Sequence, residues 1–313
     1  ADDGIGVIDN PALTSANFNA IQKAFGSITV RDNPELSQLG FPALEQTLDA
    51  VFTDAGGAQK VIDRGNIIIG NNPKFTGFST FTNLQEIAGF LQVFGDDALT
   101  DFTGLNNLQK IDNNGKNAEA LAIGIDFDDA NDILPFGNAT LKNLTGFDVL
   151  QTVSNGDIFI GFNPAMQNLK GMANVSVLDK SLFVVGNDAL QSLDGLQGDG
   201  GNNGSQDGLQ TVKGSIFVGV FFDAFKQPRP AGNGQLTDLT GLNSLTELDG
   251  SLVLGFNDTL QNFAGLDALA TIGGDLVLAG SSMDDFSGAD ALTTINGNFV
   301  IGKEPWDALY FFN

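Results

Sequence analysis

The chain has 313 residues, of which 38 are acidic and 14 basic, giving a net charge of −24, and it contains neither cysteine nor histidine. These counts exclude disulfides and thiol chemistry, and they remove the side chain that most general-base and zinc-dependent mechanisms use. Nucleic acids and anionic membranes are disfavoured as partners, because an acidic surface repels them. No apolar run is long enough for a transmembrane helix, so no membrane span is expected.

A repeat of about two dozen residues dominates the sequence. Its unit reads L-x-L-x-x-N-x-x-L-x-x-L-x-G-L-x-x-L-x-x-I, and uninterrupted copies follow one another every 23 to 25 residues. We therefore predict a mainly β protein, a right-handed parallel β-solenoid of about ten turns, similar in kind to leucine-rich repeats. The whole chain, residues 1–313, is expected to form one domain: a cap and first turn over 1–25, repeats over 26–302, and a terminal segment over 303–313.

The first turn departs from the repeat. Between Ser15 and Phe25 the chain reads SANFNAIQKAF. Phe18, Ile21 and Phe25 lie near helical spacing behind Ser15, which is a candidate N-cap. The sequence therefore predicts a short N-terminal helix.

One asparagine recurs directly after the predicted strand of most turns. A buried turn leaves backbone groups without partners, and an amide side chain can both donate and accept hydrogen bonds. Stacked turns would align these residues, so we expect a structural ladder rather than a ligand site. Its members are Asn33, Asn72, Asn138, Asn163, Asn187, Asn233 and Asn257.

Copies such as GDIFIGFNPAMQNLKGMANVSVL, from Gly156 to Leu178, resemble the receptor L domain, a leucine-rich-repeat-like solenoid. That family occurs in the ectodomains of insulin and growth-factor receptors and in cell-wall proteins. The resemblance covers about Gly26 to Gly302 and implies an extracellular or cell-surface protein. The receptor ectodomains carry disulfides whereas this chain has no cysteine, so the resemblance points towards microbial surface proteins. The first residue is Ala1 rather than Met, as either signal-peptide removal or trimming of the chain would leave it.

Two insertions interrupt the repeat between strand and asparagine. The first, Gly124 to Gly137, carries an oxygen-rich cluster made of Asp126, Asp128, Asp129 and Asp132. Such oxygens suit a hard cation such as calcium, although the spacing is not that of an EF-hand. Two interpretations stay open, a calcium site and a solvated acidic loop. No other cofactor is expected.

The second insertion, Gly219 to Gly232, places Phe221, Phe222 and Phe225 outside the repeat register, beside Arg229. These rings either fold back over the solenoid as a lid or form an exposed anchor for a partner. The two insertions lie three turns apart, about 14 Å along the stack, so they could contact the same partner.

The end of the chain, after Gly302, contains Trp306 and Tyr310, the single Trp and Tyr of the sequence. A solenoid with an open end associates unless it is capped. This segment is therefore predicted either to cap the core or to contact other copies in a filament or lattice.

We interpret the protein as a non-catalytic structural or recognition protein, located outside the cell or at its surface. Its expected partners are a protein or a polysaccharide, and copies of itself are a further candidate. No catalytic residues are assigned. The alternative is an acidic β-helix polysaccharide hydrolase or lyase, which needs converging carboxylates and a basic side chain in a groove.

Overall fold

The computed structural model describes residues 4–53, 56–113, 118–127, 132–198, 208–280 and 282–302. Over these residues the chain is built from short strands and turns, and no helix occurs. Two long parallel sheets run along the stack, one on each side of a continuous apolar core. The predicted parallel β-solenoid is confirmed.

The first sheet holds the strand of each turn that precedes the recurring asparagine. Its register is regular: Ile5 pairs with Ile28, and Leu252 pairs with Leu276. Within the described ranges it has eleven strands, one more than the predicted number of turns: β1 (Ile5–Ile8), β4 (Ile28–Arg31), β9 (Ile67–Gly70), β11 (Leu91–Phe94), β13 (Glu119–Ile123), β17 (Asp157–Gly161), β19 (Leu182–Val185), β21 (Ile216–Val218), β25 (Leu252–Gly255), β27 (Leu276–Ala279) and β29 (Phe299–Gly302).

The second sheet closes each turn on the opposite side of the core. Its strands are short because the chain bends again into the next turn. In the part of the chain that is described, ten strands belong to it: β3 (Lys23–Phe25), β6 (Gln46–Leu48), β10 (Glu86–Ile87), β12 (Lys110–Asp112), β16 (Thr152–Ser154), β18 (Val177–Leu178), β20 (Thr211–Val212), β24 (Glu247–Leu248), β26 (Thr271–Ile272) and β28 (Thr294–Ile295).

Four further strand pairs lie outside the two long sheets. One is parallel and joins adjacent turns, and the other three are antiparallel hairpins inserted into single turns. They are β2 (Ser15–Asn17) with β5 (Gln38–Gly40), β7 (Ala50–Thr53) with β8 (Gln59–Asp63), β14 (Ile125–Phe127) with β15 (Ile133–Pro135), and β22 (Val220–Phe222) with β23 (Pro228–Pro230).

The core follows from the three-residue rhythm of the repeat. Leu190, Leu193 and Leu196 each point inward and are at most 2% exposed. One inward side chain comes from each short segment of the wall, so a single turn cannot bury its own apolar face and depends on the turns above and below. Fully burying one such leucine contributes about 1.5 to 3 kcal/mol.

The predicted N-terminal helix is wrong. Residues Ser15–Asn17 and Lys23–Phe25 are strands, and β2 pairs with β5 of the next turn. Phe18 stacks on Phe41 of that turn with ring centroids 4.7 Å apart. The spacing of Phe18 and Ile21 is the three-residue rhythm of the solenoid, and pairing with the neighbouring turn decides between the two local structures.

The recurring asparagines, with Asp96 between Asn72 and Asn138, form a continuous ladder. All seven side chains of the predicted set are 0% exposed. The backbone N–H of Asn163 donates to Oδ1 of Asn187 over 3.1 Å, and Asn187 donates in the same way to Asn233 over 3.0 Å. The Nδ2 of Asn187 donates to the carbonyl oxygens of Val185 and Ile160. Each side-chain amide therefore satisfies backbone groups of its own turn and of the preceding turn, and the side chain of the next turn accepts its residue's backbone N–H.

A second polar ladder, which sequence reasoning missed, runs along the opposite end of the first sheet. Ser215 N–H donates to Ser181 Oγ over 3.0 Å, and Ser251 N–H donates to Ser215 Oγ over 2.9 Å. The donor here lies in the later turn, whereas in the asparagine ladder it lies in the earlier one. The sequence contains a signal for this ladder, because a small polar residue directly precedes several strands of the first sheet.

Candidate recognition surface

The first insertion folds back over the outer face of the first sheet. Its hairpin, β14 with β15, leaves the stack at Gly124 and returns at Gly137. Gln92 on the sheet is 3% exposed, and its Nε2 donates to the carbonyl oxygen of Ile125 over 3.0 Å. The hairpin is therefore docked on the solenoid instead of projecting into solvent.

Asp126, one of the predicted calcium ligands, is held by protein groups. Arg31 Nη2 donates to its Oδ2 over 3.0 Å, and the Arg31 guanidinium lies 5.4 Å from the centre of the Phe94 ring. Asp132 Oδ1 accepts from the backbone N–H of Ile133. Asp128 and Asp129 lie outside the described residues. Within those residues no three ligating side chains come together as a metal site, and calcium binding stays a prediction.

The second insertion separates its phenylalanines into two environments. Phe221 is 9% exposed and packs edge-on against Phe162, with ring centroids 5.6 Å apart. Phe222 packs edge-on against Phe217 of the sheet at 5.3 Å. Phe225, by contrast, is 77% exposed at the apex of the hairpin. Two rings thus lie over the sheet, and one points into solvent.

Asp223 fixes the shape of this apex. Its side chain is 3% exposed, and its Oδ1 accepts from the backbone N–H groups of Phe225 and Gln227 at 2.9 and 2.8 Å. Its other oxygen pairs with Arg229 at 2.5 Å. Burial alone would raise the pKa of Asp223, but these hydrogen bonds and the Arg229 charge bring the pKa below its usual value. The apex is a preorganised loop.

The two hairpins touch each other. The backbone N–H of Ala224 donates to Asp132 Oδ1 over 3.2 Å, across 92 residues of sequence. Asp126 in turn ties the first hairpin to Arg31, 95 residues earlier. The insertions therefore form one surface along the sheet, here called the hairpin platform: the described residues of 124–137 together with residues 219–232.

Backbone strain marks the same region. The residue before the ladder position has positive φ in several turns, and it is mostly Gly, Asn or Asp. Phe162 and Phe256 break this pattern, with φ of 60° and 58°. A Cβ on Gly137 would lie 1.5 Å from the Phe162 carbonyl oxygen, and one on Gly232 would lie 1.8 Å from that of Phe256. Bulky residues adopt this conformation only where their surroundings enforce it, and such positions cluster at functional sites.

The sequence alone could have indicated these two strained positions. Asp9, Asp32 and Asn71 occupy the same position in other turns, so phenylalanine there is a departure that the repeat alignment could have shown. The two strained rings flank the second hairpin, since Phe162 contacts Phe221 and Phe256 packs in the cluster with Phe222. Both Phe162 and Phe256 therefore belong to the aromatic support of the hairpin platform.

Two acidic side chains with raised pKa values lie at the end of the first sheet that is opposite to the asparagine ladder. Burial, together with the negative charge of Asp157, raises the pKa of Glu119 to about 7. Burial also raises the pKa of Asp157, although the Ser181 hydrogen bond and the Lys180 charge oppose the shift. Asp157 Oδ1 accepts from the Ser181 N–H over 2.7 Å, which makes it part of the second ladder.

The family model described as Receptor L domain matches residues 60–179. The predicted resemblance is confirmed over that segment. It includes the first hairpin, and the second hairpin follows it along the chain. Receptor L domains are recognition modules that bind protein ligands and are generally non-catalytic.

No curated protein matches the chain. A solved structure that it resembles is a leucine-rich repeat protein from Bacteroides ovatus, at 12% identity and a TM-score of 0.17, covering 92% of this chain and 83% of the other. A score this low carries no argument, and the architecture rests on the strand pairing described above. The described residues contain no helix and hence none that could span a membrane. Trp306 and Tyr310 lie outside the described residues.

Proposed function

We propose that this is a non-catalytic recognition protein that acts outside the cell or at its surface and binds a partner with the hairpin platform. One observation carries the proposal: Phe225 is 77% exposed on an apex that Asp223 holds rigid. Exposed aromatic anchors on preorganised loops carry much of the binding energy in protein interfaces. A protein partner fits best, and a polysaccharide is the other candidate.

The surroundings of Phe225 support this assignment. Lys226 and Arg229 follow Phe225 within four residues of the sequence, in a chain with 38 acidic and 14 basic residues. The Arg229 side chain is 53% exposed although it pairs with Asp223. An apolar ring beside positive charge would suit a partner with an apolar pocket and an acidic rim. The strained Phe162 and Phe256 below would keep the hairpin in place.

The proposal is tested by binding assays on immobilised wild-type protein. Purified insoluble polysaccharides, such as cellulose and chitin, and fractionated surface proteins from the source organism serve as probes. Phe225→Ala should weaken binding of the true partner about tenfold or more. Phe25→Ala, which removes a ring that is 62% exposed on β3, is the matched control and should leave binding unchanged. Equal effects of the two variants would rule out the hairpin platform.

The alternative, an acidic polysaccharide hydrolase or lyase, is tested in the same samples. Glu119 and Asp157 are its best described carboxylates, because raised pKa values are typical of catalytic acids. The role of Asp157 in the second ladder favours a structural interpretation. Release of reducing ends or unsaturated sugars by the wild type, lost in Glu119→Gln, would replace the recognition proposal.

A further inference from the structure

A pocket of about 400 Å³ opens at the C-terminal end of the described stack. Its apolar lining comes from Leu278, Met283, Phe286 and Ile301. Phe286 and Ile301 are 51% and 60% exposed, although their counterparts in inner turns, such as Phe263 and Leu254, are buried. An apolar pocket that stays this open is a typical docking site for an apolar side chain.

The rim of this pocket is acidic. Asp284 and Asp285 both line it. Asp285 Oδ1 accepts from the Ser287 hydroxyl and backbone N–H at 2.6 and 2.9 Å, and these bonds lower its pKa below the usual value. Asp285 is therefore ionised at neutral pH, and the pocket combines an apolar floor with a negative rim.

The apex of the hairpin platform has the complementary chemistry. It presents Phe225, 77% exposed, next to the exposed Lys226. Arg229 is paired with Asp223, so the exposed Lys226 is the cation that stands next to Phe225 at the apex. Ala224 ties the apex to Asp132 of the first hairpin, in the direction of the N-terminal turns and away from the pocket. The apex belongs to the turn that follows β21, whereas the pocket is lined by the turns of β27 and β29.

We propose that Phe225 of one molecule docks in the Phe286–Ile301 pocket of a second copy, with Lys226 facing the Asp284–Asp285 rim. The inference rests on the proposed function of the hairpin platform and names its partner. The two contacting surfaces differ, so the contact is heterologous, and the joined pair keeps one free apex and one free pocket. Repetition of this contact produces an open chain or filament. Two copies of this acidic protein repel each other overall. The attraction between Lys226 and the acidic rim favours this one contact over other contacts between the copies.

The first test is the mass of the protein by sedimentation velocity and light scattering across about two decades of concentration. Wild-type mass should rise with concentration. Phe225→Ala should weaken this association about tenfold or more. Phe25→Ala should associate like the wild type, and melting curves verify that both variants are folded. A wild type that stays monomeric throughout, or equal behaviour of the two variants, overturns the proposal.

The second test exchanges the charges. Lys226→Asp and Asp284→Lys should each weaken association when alone, because each brings like charges together. An equimolar mixture of the two variants should associate again. In the mixture, residue 226 of each variant can meet a residue 284 of opposite charge on the other variant. A mixture that remains as dissociated as its components would overturn the assigned contact.

Other occupants of the pocket give distinct results. If association appears only after removal of Trp306 to Asn313, the chain's own segment fills the pocket and the proposal is wrong. If the wild type is monomeric but binds a foreign partner in a Phe225-dependent way, self-docking is wrong and the recognition function stands. If self-association follows the charge exchange and no foreign partner binds, the platform serves assembly alone.

Discussion

One position of the buried ladder holds an aspartate instead of an asparagine. Asp96 occupies it between Asn72 and Asn138, and it is 0% exposed. Its Oδ1 accepts from the Asn72 backbone N–H over 2.8 Å. Its Oδ2 is buried without a hydrogen-bond partner, whereas an asparagine would place a donor there. Burial raises the pKa of Asp96 well above its usual value, and the Asn72 hydrogen bonds only partly oppose the shift.

Asp96→Asn should therefore stabilise the protein. The new Nδ2 can donate to neighbouring carbonyl oxygens as Asn187 does, and we expect a gain of about 1 to 3 kcal/mol in the free energy of unfolding. Because the folded-state pKa of Asp96 is raised, its ionisation costs stability as pH rises above the unfolded value, so the gain should be larger at alkaline pH. Urea unfolding measures it. Asn187→Asp is the converse control and should destabilise, and a less stable Asp96→Asn at alkaline pH would contradict the ladder interpretation.

Glu119 makes stability depend on pH in the same direction. Its pKa is 4.5 in the unfolded chain and about 7 in the folded one. The folded state therefore holds a proton that the unfolded state releases, and stability declines from about pH 4.5 to about pH 7 and is level beyond. A shift of this size corresponds to on the order of 3 kcal/mol.

Glu119→Gln should remove most of that decline. Melting temperatures across this pH range measure the effect: the variant should match the wild type at acidic pH and exceed it at pH above 7. Asp157 keeps a smaller dependence of the same sign, because its pKa is also raised by burial. A wild type that becomes more stable between these pH values would show that Glu119 is ionised in the folded protein.

At the scale of the element, the second hairpin combines a fixed base with a preorganised apex. Its base is held by Phe221 and Phe222 on the sheet, and its apex by Asp223. These two parts depend on different residues. The base can therefore stay docked when the apex is loosened.

Asp223→Ala should loosen the apex alone. It removes the acceptor of the Phe225 and Gln227 N–H groups and the partner of Arg229. Trypsin should then cleave after Lys226 about tenfold faster or more, because proteolysis follows local opening. The melting temperature should hardly change. Asp188→Ala, at an exposed aspartate, is the matched control, and an unchanged cleavage rate would show that Asp223 does not hold the apex.

At the scale of the whole molecule, charge is the dominant feature. The net charge of −24 arises from 38 acidic and 14 basic residues. The ion pairs of the described residues are mostly partly exposed, as in Lys74 with Glu35, and such pairs contribute little stability. Most carboxylates therefore repel one another across the surface, and this repulsion opposes the compact state.

Salt should consequently stabilise the protein. Raising NaCl from about 0.01 M to about 0.5 M shortens the Debye length to a few ångströms and should raise the melting temperature by several degrees. Calcium chloride at matched ionic strength serves as the comparison. A further rise with calcium, lost in Asp132→Asn, would support a cation site in the first insertion. A melting temperature that falls with NaCl would show that attractive pairs dominate.

The sequence by itself determined the stacked solenoid. Apolar residues alternate in each predicted strand and recur every third position after it, with a period of about two dozen residues. This pattern specifies turns whose apolar side chains are buried only by stacking. The strand Leu182–Val185 and the buried Asn187 therefore lie where the repeat predicts them. The same information was insufficient at Ser15–Phe25, where helical and solenoid spacings are locally alike. Pairing with Gln38–Gly40 of the next turn settled that segment.

Only the tertiary structure decided how the insertions are arranged. Arg31 donates a hydrogen bond to Asp126, and Ala224 donates one to Asp132, each across more than ninety residues of sequence. No repeating pattern indicates either contact. Three phenylalanines of one insertion are alike in sequence, yet Phe221 is buried and Phe225 exposed. Each repeated turn packs between turns of similar sequence, so the repeat alone predicts its structure. An insertion has no such neighbours, and its position depends on the side chains that the adjacent turns place next to it.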